Sequence, residues 1–129
     1  MAHRLMFDHD DPILARVRQI ALSLPDSAEK VSHGRPAFHT TKVFAYYGGS
    51  LKVDGAWVQH PQAIVVKPDP GDARALTEDP RAFVPAYLGP SGWLGLDLDG
   101  DTDPAEIAEL IEDSFRRTAS PRSIRRLDT

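Results

Sequence analysis

The sequence contains no cysteine and no long apolar run, and both absences narrow its chemistry. Without cysteine, disulfides, thiolate metal sites and cysteine catalysis are excluded. The same absence is compatible with a reducing cytosol. No apolar run approaches the roughly 20 residues that cross a bilayer, and the segment from Met1 to Asp8 lacks the apolar stretch of a secretory signal. We therefore expect a cytoplasmic protein with no membrane partner.

Catalytic and cofactor motifs are also missing. No serine stands in a Gly-x-Ser-x-Gly elbow, and Gly48-Gly49-Ser50 lacks the Gly-Lys-Ser/Thr ending of a phosphate loop. The alternating aspartates from Asp97 to Asp103 fail as a calcium loop, because Gly and Glu are absent from the positions that an EF-hand requires. His33 and His39 have no placed carboxylate beside them and make a poor metal site. The sequence predicts no enzyme, no cofactor and no metal.

What the chain does contain is an ordinary globular composition with an uneven charge. Its 129 residues are 41% hydrophobic and 26% charged, which suits one domain over residues 1–129, with a core of about residues 11–121. Residues 1–115 hold ten Lys and Arg against eighteen Asp and Glu, whereas residues 116–129 hold five Arg against one Asp. The negative electrostatic field of residues 1–115 repels nucleic acid. The positively charged residues 116–129 are the exception.

Four Asp-Pro pairs, at residues 11, 69, 79 and 103, mark candidate helix starts. Asp caps the free amides of a first turn, and Pro suits the next position. Apolar spacing predicts helices from Pro12 to about Leu24, from Pro70 to about Thr77, and from Pro104 up to Pro121. Residues 80–90 are expected to be irregular, with one helical turn at Arg81–Val84. Residues 122–129 are expected to be a mobile basic tail.

Strands are predicted where aromatic and β-branched residues gather. These segments are Ala37–Thr40, Lys42–Tyr47 and Ala63–Lys67, with room for one more near Leu51–Val58. Turns are expected at Gly48-Gly49-Ser50 and at Asp54-Gly55.

The alternating segment Trp93–Asp99 predicts a strand with one packed face and one wet face. Its leucines at 94, 96 and 98 share the packed face, while Gly95, Asp97 and Asp99 share the other. The resulting order, α-β-β-β-α-β-α, predicts an α+β two-layer sandwich in which helices cover an antiparallel sheet.

Several short segments together resemble the MmcQ/YjbR-like family over about residues 11–122. They are Leu24-Pro25-Asp26, His33 to Phe38, Val66 to Asp69, Phe83 to Gly89 running into Gly92-Trp93, and Thr118 to Arg122. The resemblance implies a fold similar to the frataxin-like and secretion-chaperone-like sandwiches, and it implies DNA binding. The segment from Gly48 to His60 is longer than the family leads us to expect.

The predicted DNA-binding residues are mainly arginines, whose planar forks fit phosphate oxygens. They are Arg116, Arg117, Arg122, Arg125 and Arg126, together with Arg35, Lys42 and Lys67. The expected affinity is modest, with little sequence preference. The alternative is that Arg116 and Arg117 only complement the dipole of the last helix while the tail is solvated.

Two further functions are open. A small-molecule site is one, in a pocket formed by His33, Arg35, His39, Tyr87 and Trp93, where aromatic rings near Arg suit stacked bases. Its alternative is a rigid loop in which Trp93 packs over the sheet. An adaptor with a chaperone-like fold is the other, with a sheet edge that takes a partner or a second copy as a homodimer.

Overall fold

The computed structural model describes residues 5–129. The first four residues of the segment Met1–Asp8, which was predicted not to be a secretory signal, lie outside the described part. Within residues 5–129 there are four α-helices, one short 3-10 helix (Gly89–Ser91) and six strands. The helices are α1 (Pro12–Leu22), α2 (Pro70–Thr77), α3 (Pro104–Thr118) and α4 (Pro121–Leu127). The strands are β1 (Ala28–Ser32), β2 (Arg35–His39), β3 (Val43–Val53), β4 (Ala56–Val66), β5 (Ala82–Phe83) and β6 (Leu94–Asp97).

Three of the four Asp-Pro pairs start helices as predicted. The side chains of Asp11, Asp69 and Asp103 accept hydrogen bonds from first-turn amides at 2.7–2.9 Å. At the remaining pair, Asp79 accepts from the amide and the guanidinium of Arg81 instead. The chain then enters β5, which pairs with β6. The helical turn predicted there is therefore wrong, because the two-residue strand takes its backbone hydrogen bonds from the sheet.

The strands form one antiparallel sheet in the order β1-β2-β3-β4-β6-β5, which confirms the α+β prediction. β1 was not predicted, since its sequence Ala-Glu-Lys-Val-Ser has little strand character. Gly48 and Gly49 do not form the predicted turn. They lie within β3, at a register shift between Tyr47 and Gly49. The turn at Asp54-Gly55 is confirmed, and both residues have positive φ.

The main core lies between one sheet face and two helices, α1 and α3. The apolar stripes predicted for these helices supply Leu14, Val17, Ile107, Ile111 and Phe115, all completely buried. Their partners come from alternate positions of β2, β3, β4 and β6. We call the opposite side the helix-free face. No helix in the described part of the chain is long and apolar enough to cross a membrane.

The helix-free face is not simply wet, which corrects the prediction for β6. A cross-strand row runs over it through Lys30, Ala37, Tyr46, Val65, Gly95 and Phe83. Phe83 is folded over Gly95, and a small cluster of Ala63, Val65, Phe83 and Trp93 is buried there. The alternation of β6 predicted the side-chain directions correctly, but it could not reveal that residues preceding β6, Phe83 and Trp93, cover the second side.

Residues 121–127 form α4 in place of the predicted mobile tail. Ser120 caps the helix by accepting from the amide of Ser123, and Pro121 opens it. Ser123 is buried and donates to Asp26 at 2.7 Å, while Ile124 and Leu127 pack against the main core. Pro121 therefore ends α3 as predicted, but it also begins another helix.

Candidate nucleic-acid interface

The arginines at the C-terminal end are largely paired with carboxylates of the same chain. Arg116 contacts Asp128 at 2.6 Å, and Arg117 contacts Asp69 at 3.1 Å. Arg126 contacts Asp26 at 2.6 Å. The first of these pairs raises the pKa of Arg116 and lowers the pKa of Asp128. Three of the five guanidinium groups are thus already neutralised locally, which weakens their attraction for phosphate.

The other two arginines of this group differ from each other. Arg122 lines a groove of about 410 Å³ beside α4, in which Asp26 and Arg126 also take part. The pKa of Asp26 is lowered, chiefly by the hydrogen bond from Ser123, and the charges of Arg126 and Arg122 contribute. Arg125 is exposed and forms no ion pair within residues 5–129. The fold leaves no group of five free cations at this end.

Another basic region was predicted only in part, because the DNA-binding residues expected from the sequence included Arg35, Lys42 and Lys67 but not Lys30 or Lys52. Residues 28–68, which we call the basic strand segment, hold five Lys and Arg but only two Asp and Glu. The five are Lys30, Arg35, Lys42, Lys52 and Lys67. None of them forms an ion pair with another described residue. A charge count in shorter windows than 1–115 was the signal that could have found this region.

One of the two acidic residues in the segment is already paired with an arginine outside it. Glu29 points toward the helices and forms a bidentate pair with Arg18 of α1 at 2.9–3.2 Å. The other, Asp54, lies in the exposed turn between β3 and β4. The helix-free side of β1 and β2 therefore offers Lys30 and Arg35 without a competing carboxylate from these two strands.

Arg35 is a buried cation with few partners. Its side chain is only 8% exposed, and burial lowers its pKa. One terminal nitrogen donates to the Gln59 side chain at 2.5 Å and to the Gly49 carbonyl at 3.5 Å, whereas Nη1 has no partner in the described part of the chain. A side chain at Gly48 would collide with this guanidinium. Glycine at the register shift thus makes the room that Arg35 occupies.

The residues of the predicted pocket are found at several places. Trp93 packs on Tyr46 with ring centroids 5.5 Å apart, and His39 contacts the carbonyl of Thr40. Tyr87 instead lies beside Trp57, at the far part of the β3–β4 hairpin. Neither of two surface grooves defined in the structure is lined by these pocket residues. The pocket stays a prediction, and so do the adaptor role and the homodimer.

A histidine–aspartate pair on the helix-free face was also missed. His60 Nδ1 lies 2.8 Å from Asp97 Oδ1, and its ring stacks on Phe83 at 3.9 Å between centroids. The carboxylate and the aromatic ring together fix the imidazole orientation. Residues 60 and 97 are far apart in sequence, so no spacing rule could join them. Among residues 5–129, no group of three or more His, Asp or Glu is arranged to hold a metal ion.

One surface groove of the molecule is acidic. A groove of about 580 Å³ lies between α2 and α3, with Leu76 and Leu110 on its floor. Its walls carry Asp72, Asp79, Glu106, Glu109, Glu112 and Asp113, against one Arg116. A polyanion is repelled from such a wall. Acidic side chains of α2, α3 and the adjoining residues thus gather at this groove, whereas the free lysines lie on the first four strands and beside them.

The family comparison matches the same part of the chain. The model of the family described as YjbR covers residues 22–117, about three quarters of the sequence. The chain belongs to the YjbR family. The prediction made from its short segments is confirmed. No curated protein matches the sequence. The YjbR match includes the whole basic strand segment and ends before Arg122, Arg125 and Arg126.

Proposed function

We propose that this YjbR-family chain binds DNA, without catalysis, through the basic strand segment and not through its C-terminal arginines. The observation that carries the proposal is the absence of ion pairs at Lys30, Lys42, Lys52, Lys67 and Arg35 among the described residues, beside the pairing of Arg116, Arg117 and Arg126. A cation whose charge is offset by a nearby carboxylate attracts phosphate less strongly than a free one, and each phosphate that is neutralised releases its counterions. The role suits a cytoplasmic protein, as the sequence analysis expects.

The position of the segment supports the same proposal. Lys30 is exposed on β1, Lys42 precedes β3, and Lys67 directly follows β4. The acidic groove between α2 and α3 involves none of these residues. An approaching polyanion is oriented by this arrangement of charge, since its approach to the acidic groove is unfavourable and its approach to the free lysines is favourable. Modest affinity follows, because the total charge of the chain is −4.

The test is fluorescence anisotropy with labelled DNA across a salt series. Three to five phosphate contacts predict a slope of roughly −3 to −5 in log K against log salt. Lys30→Ala and Lys67→Ala are each expected to reduce the steepness of that slope by about one. Arg125→Ala is the matched control, since it removes one exposed charge from α4 and is expected to leave the slope unchanged.

Two results would contradict the proposal. One is the absence of binding at low salt. The other is a reversed pattern, in which Arg125→Ala flattens the salt dependence while the lysine variants do not, because that pattern would restore the C-terminal arginines as the phosphate contacts.

A further inference from the structure

The β3–β4 hairpin extends beyond the register shift as a ribbon, residues 49–60, which we call the outer hairpin and whose residues 52–59 are exposed. Trp57 lies opposite Lys52, and Gln59 lies opposite Ser50. Because side chains alternate along each strand, these four share one face of the ribbon. At its base, Gln59 accepts a hydrogen bond from Arg35 at 2.5 Å. This face therefore runs from a lysine and a tryptophan to a buried guanidinium.

Two aromatic rings are exposed on this face. Trp57 is 45% exposed and Tyr87 is 84% exposed, with ring centroids 6.1 Å apart and an interplanar angle of 33°. The amide of Ala86 donates to the carbonyl of Ser50 at 2.8 Å, which fixes the loop carrying Tyr87 to the outer hairpin. Lys52 Nζ lies 5.5 Å from the centre of the Trp57 ring. The rings are thus held in place without being buried.

Tyr87 also has an uncommon backbone conformation. Its φ is +67°, in the left-handed region that disfavours a bulky side chain. Strain of this kind is normally offset by packing, but this ring is almost completely exposed. Core packing therefore explains neither the left-handed backbone of Tyr87 nor the presence of an aromatic ring at this position. Flat exposed rings beside cations are the arrangement by which proteins bind unpaired bases.

We propose that the outer hairpin and Tyr87 form a stacking site for single-stranded DNA, an inference that rests on the proposed function and specifies its ligand. Unpaired bases stack on the open faces of Tyr87 and Trp57. Lys52 neutralises a phosphate between them, and Arg35 adds positive potential from beneath, since no described carboxylate compensates its charge. A duplex gains little from these rings, because its bases are already stacked on each other.

The experiment compares an oligonucleotide of about 16 nucleotides with the same sequence annealed to its complement. Wild-type protein is expected to bind the single strand more tightly. Tyr87→Ala and Trp57→Ala are each expected to weaken single-strand binding by about 5- to 150-fold, while duplex affinity changes by less than about twofold. Leu22→Ala is the control, since Leu22 is an exposed apolar residue at the end of α1, outside the basic strand segment and the outer hairpin.

A second readout detects stacking directly. In a Trp93→Phe background, Trp57 is the only tryptophan of the chain, and its fluorescence is expected to be quenched by the single strand but not by the duplex. Circular dichroism confirms that each variant is folded.

The outcomes separate the two proposals. If neither form of DNA binds at low salt, both fail. If both forms bind equally, and the aromatic variants and the fluorescence of Trp57 show no difference between them, the stacking site is overturned while DNA binding by the basic strand segment stands.

Discussion

At the scale of single residues, the helix-free face depends on glycines that make room for one ring. Phe83 comes from the short edge strand β5, yet its ring lies over both Gly95 of β6 and Gly49 of β3. A Cβ at Gly49 would lie 3.0 Å from Val65 and 3.1 Å from Phe83, and one at Gly95 would collide with the ring outright. The ring then supports His60 from one side. Two small residues thus decide how the loop after β5 covers the sheet.

Gly95→Ala is expected to destabilise the protein by about 1–3 kcal/mol, because the added methyl group overpacks a site that Phe83 already fills. The measurement is the urea midpoint. Gly100→Ala provides the control, since a Cβ at Gly100 meets nothing within 4 Å and is expected to change stability by less than about 0.5 kcal/mol. Equal midpoints for the two variants would show that the ring moves aside at no cost.

At the scale of elements, α4 is fixed by contacts that reach far back along the chain. Ser123 and Arg126 both contact Asp26, which follows α1 and has a positive φ of 59°. Arg116 of α3 contacts Asp128 at the end of α4. The same charges that suggested a DNA-binding tail therefore attach the last helix to the body. Their number could be read from the sequence, but their partners could not.

Deletion of residues 121–129 is expected to lower the free energy of unfolding by about 1–3 kcal/mol, since Ile124 and Leu127 lose their packing against the core. A truly mobile tail could be removed without any effect. Thermal or urea unfolding of the shortened chain makes the comparison. Asp26→Ala in the full-length chain is expected to change stability in the same direction, and no change in either protein would mean that α4 is not anchored.

At the scale of the whole molecule, three carboxylates are held in their charged form, Asp79 and Asp128 by arginines and Asp26 chiefly by Ser123. Hydrogen bonds from Arg81 lower the pKa of Asp79 to about 2, and the pKa values of Asp26 and Asp128 are also lowered. In the unfolded chain an Asp titrates near about 3.9. The stabilisation from these groups is therefore complete above about pH 4, and it is lost as the pH falls through the folded pKa values.

The expected outcome is a loss of stability between about pH 4 and about pH 2, measured by urea unfolding at a series of pH values. Asp79→Asn is expected to reduce the steepness of this loss, because the substituted side chain no longer takes up a proton. Asp101→Asn, at an exposed turn, makes the same change in charge and should leave the steepness unaltered. Identical acid profiles for wild type and Asp79→Asn would contradict the argument.

Interactions between residues close together in the sequence were enough to predict most of the helices and strands. The caps at Asp11, Asp69 and Asp103 act within two residues of themselves, so the helix starts were predicted correctly. The alternation of β6 and the stripe of α3 likewise depend on neighbours a few residues away. β1 and β5 were not predicted, since both are strands only because a partner strand supplies their hydrogen bonds.

By itself, the sequence determined the helix starts, the packed faces of α1 and α3, the α+β class and the family of the chain. Only the tertiary structure decided which cations are free. Asp26 and Arg126 lie 100 residues apart along the chain, and Arg35 and Gln59 lie 24 apart. Charge neutralisation depends on distances through space, which composition does not contain. Folding set those distances so that Arg116, Arg117 and Arg126 are paired with carboxylates, while the cations of the basic strand segment form no ion pair among the described residues.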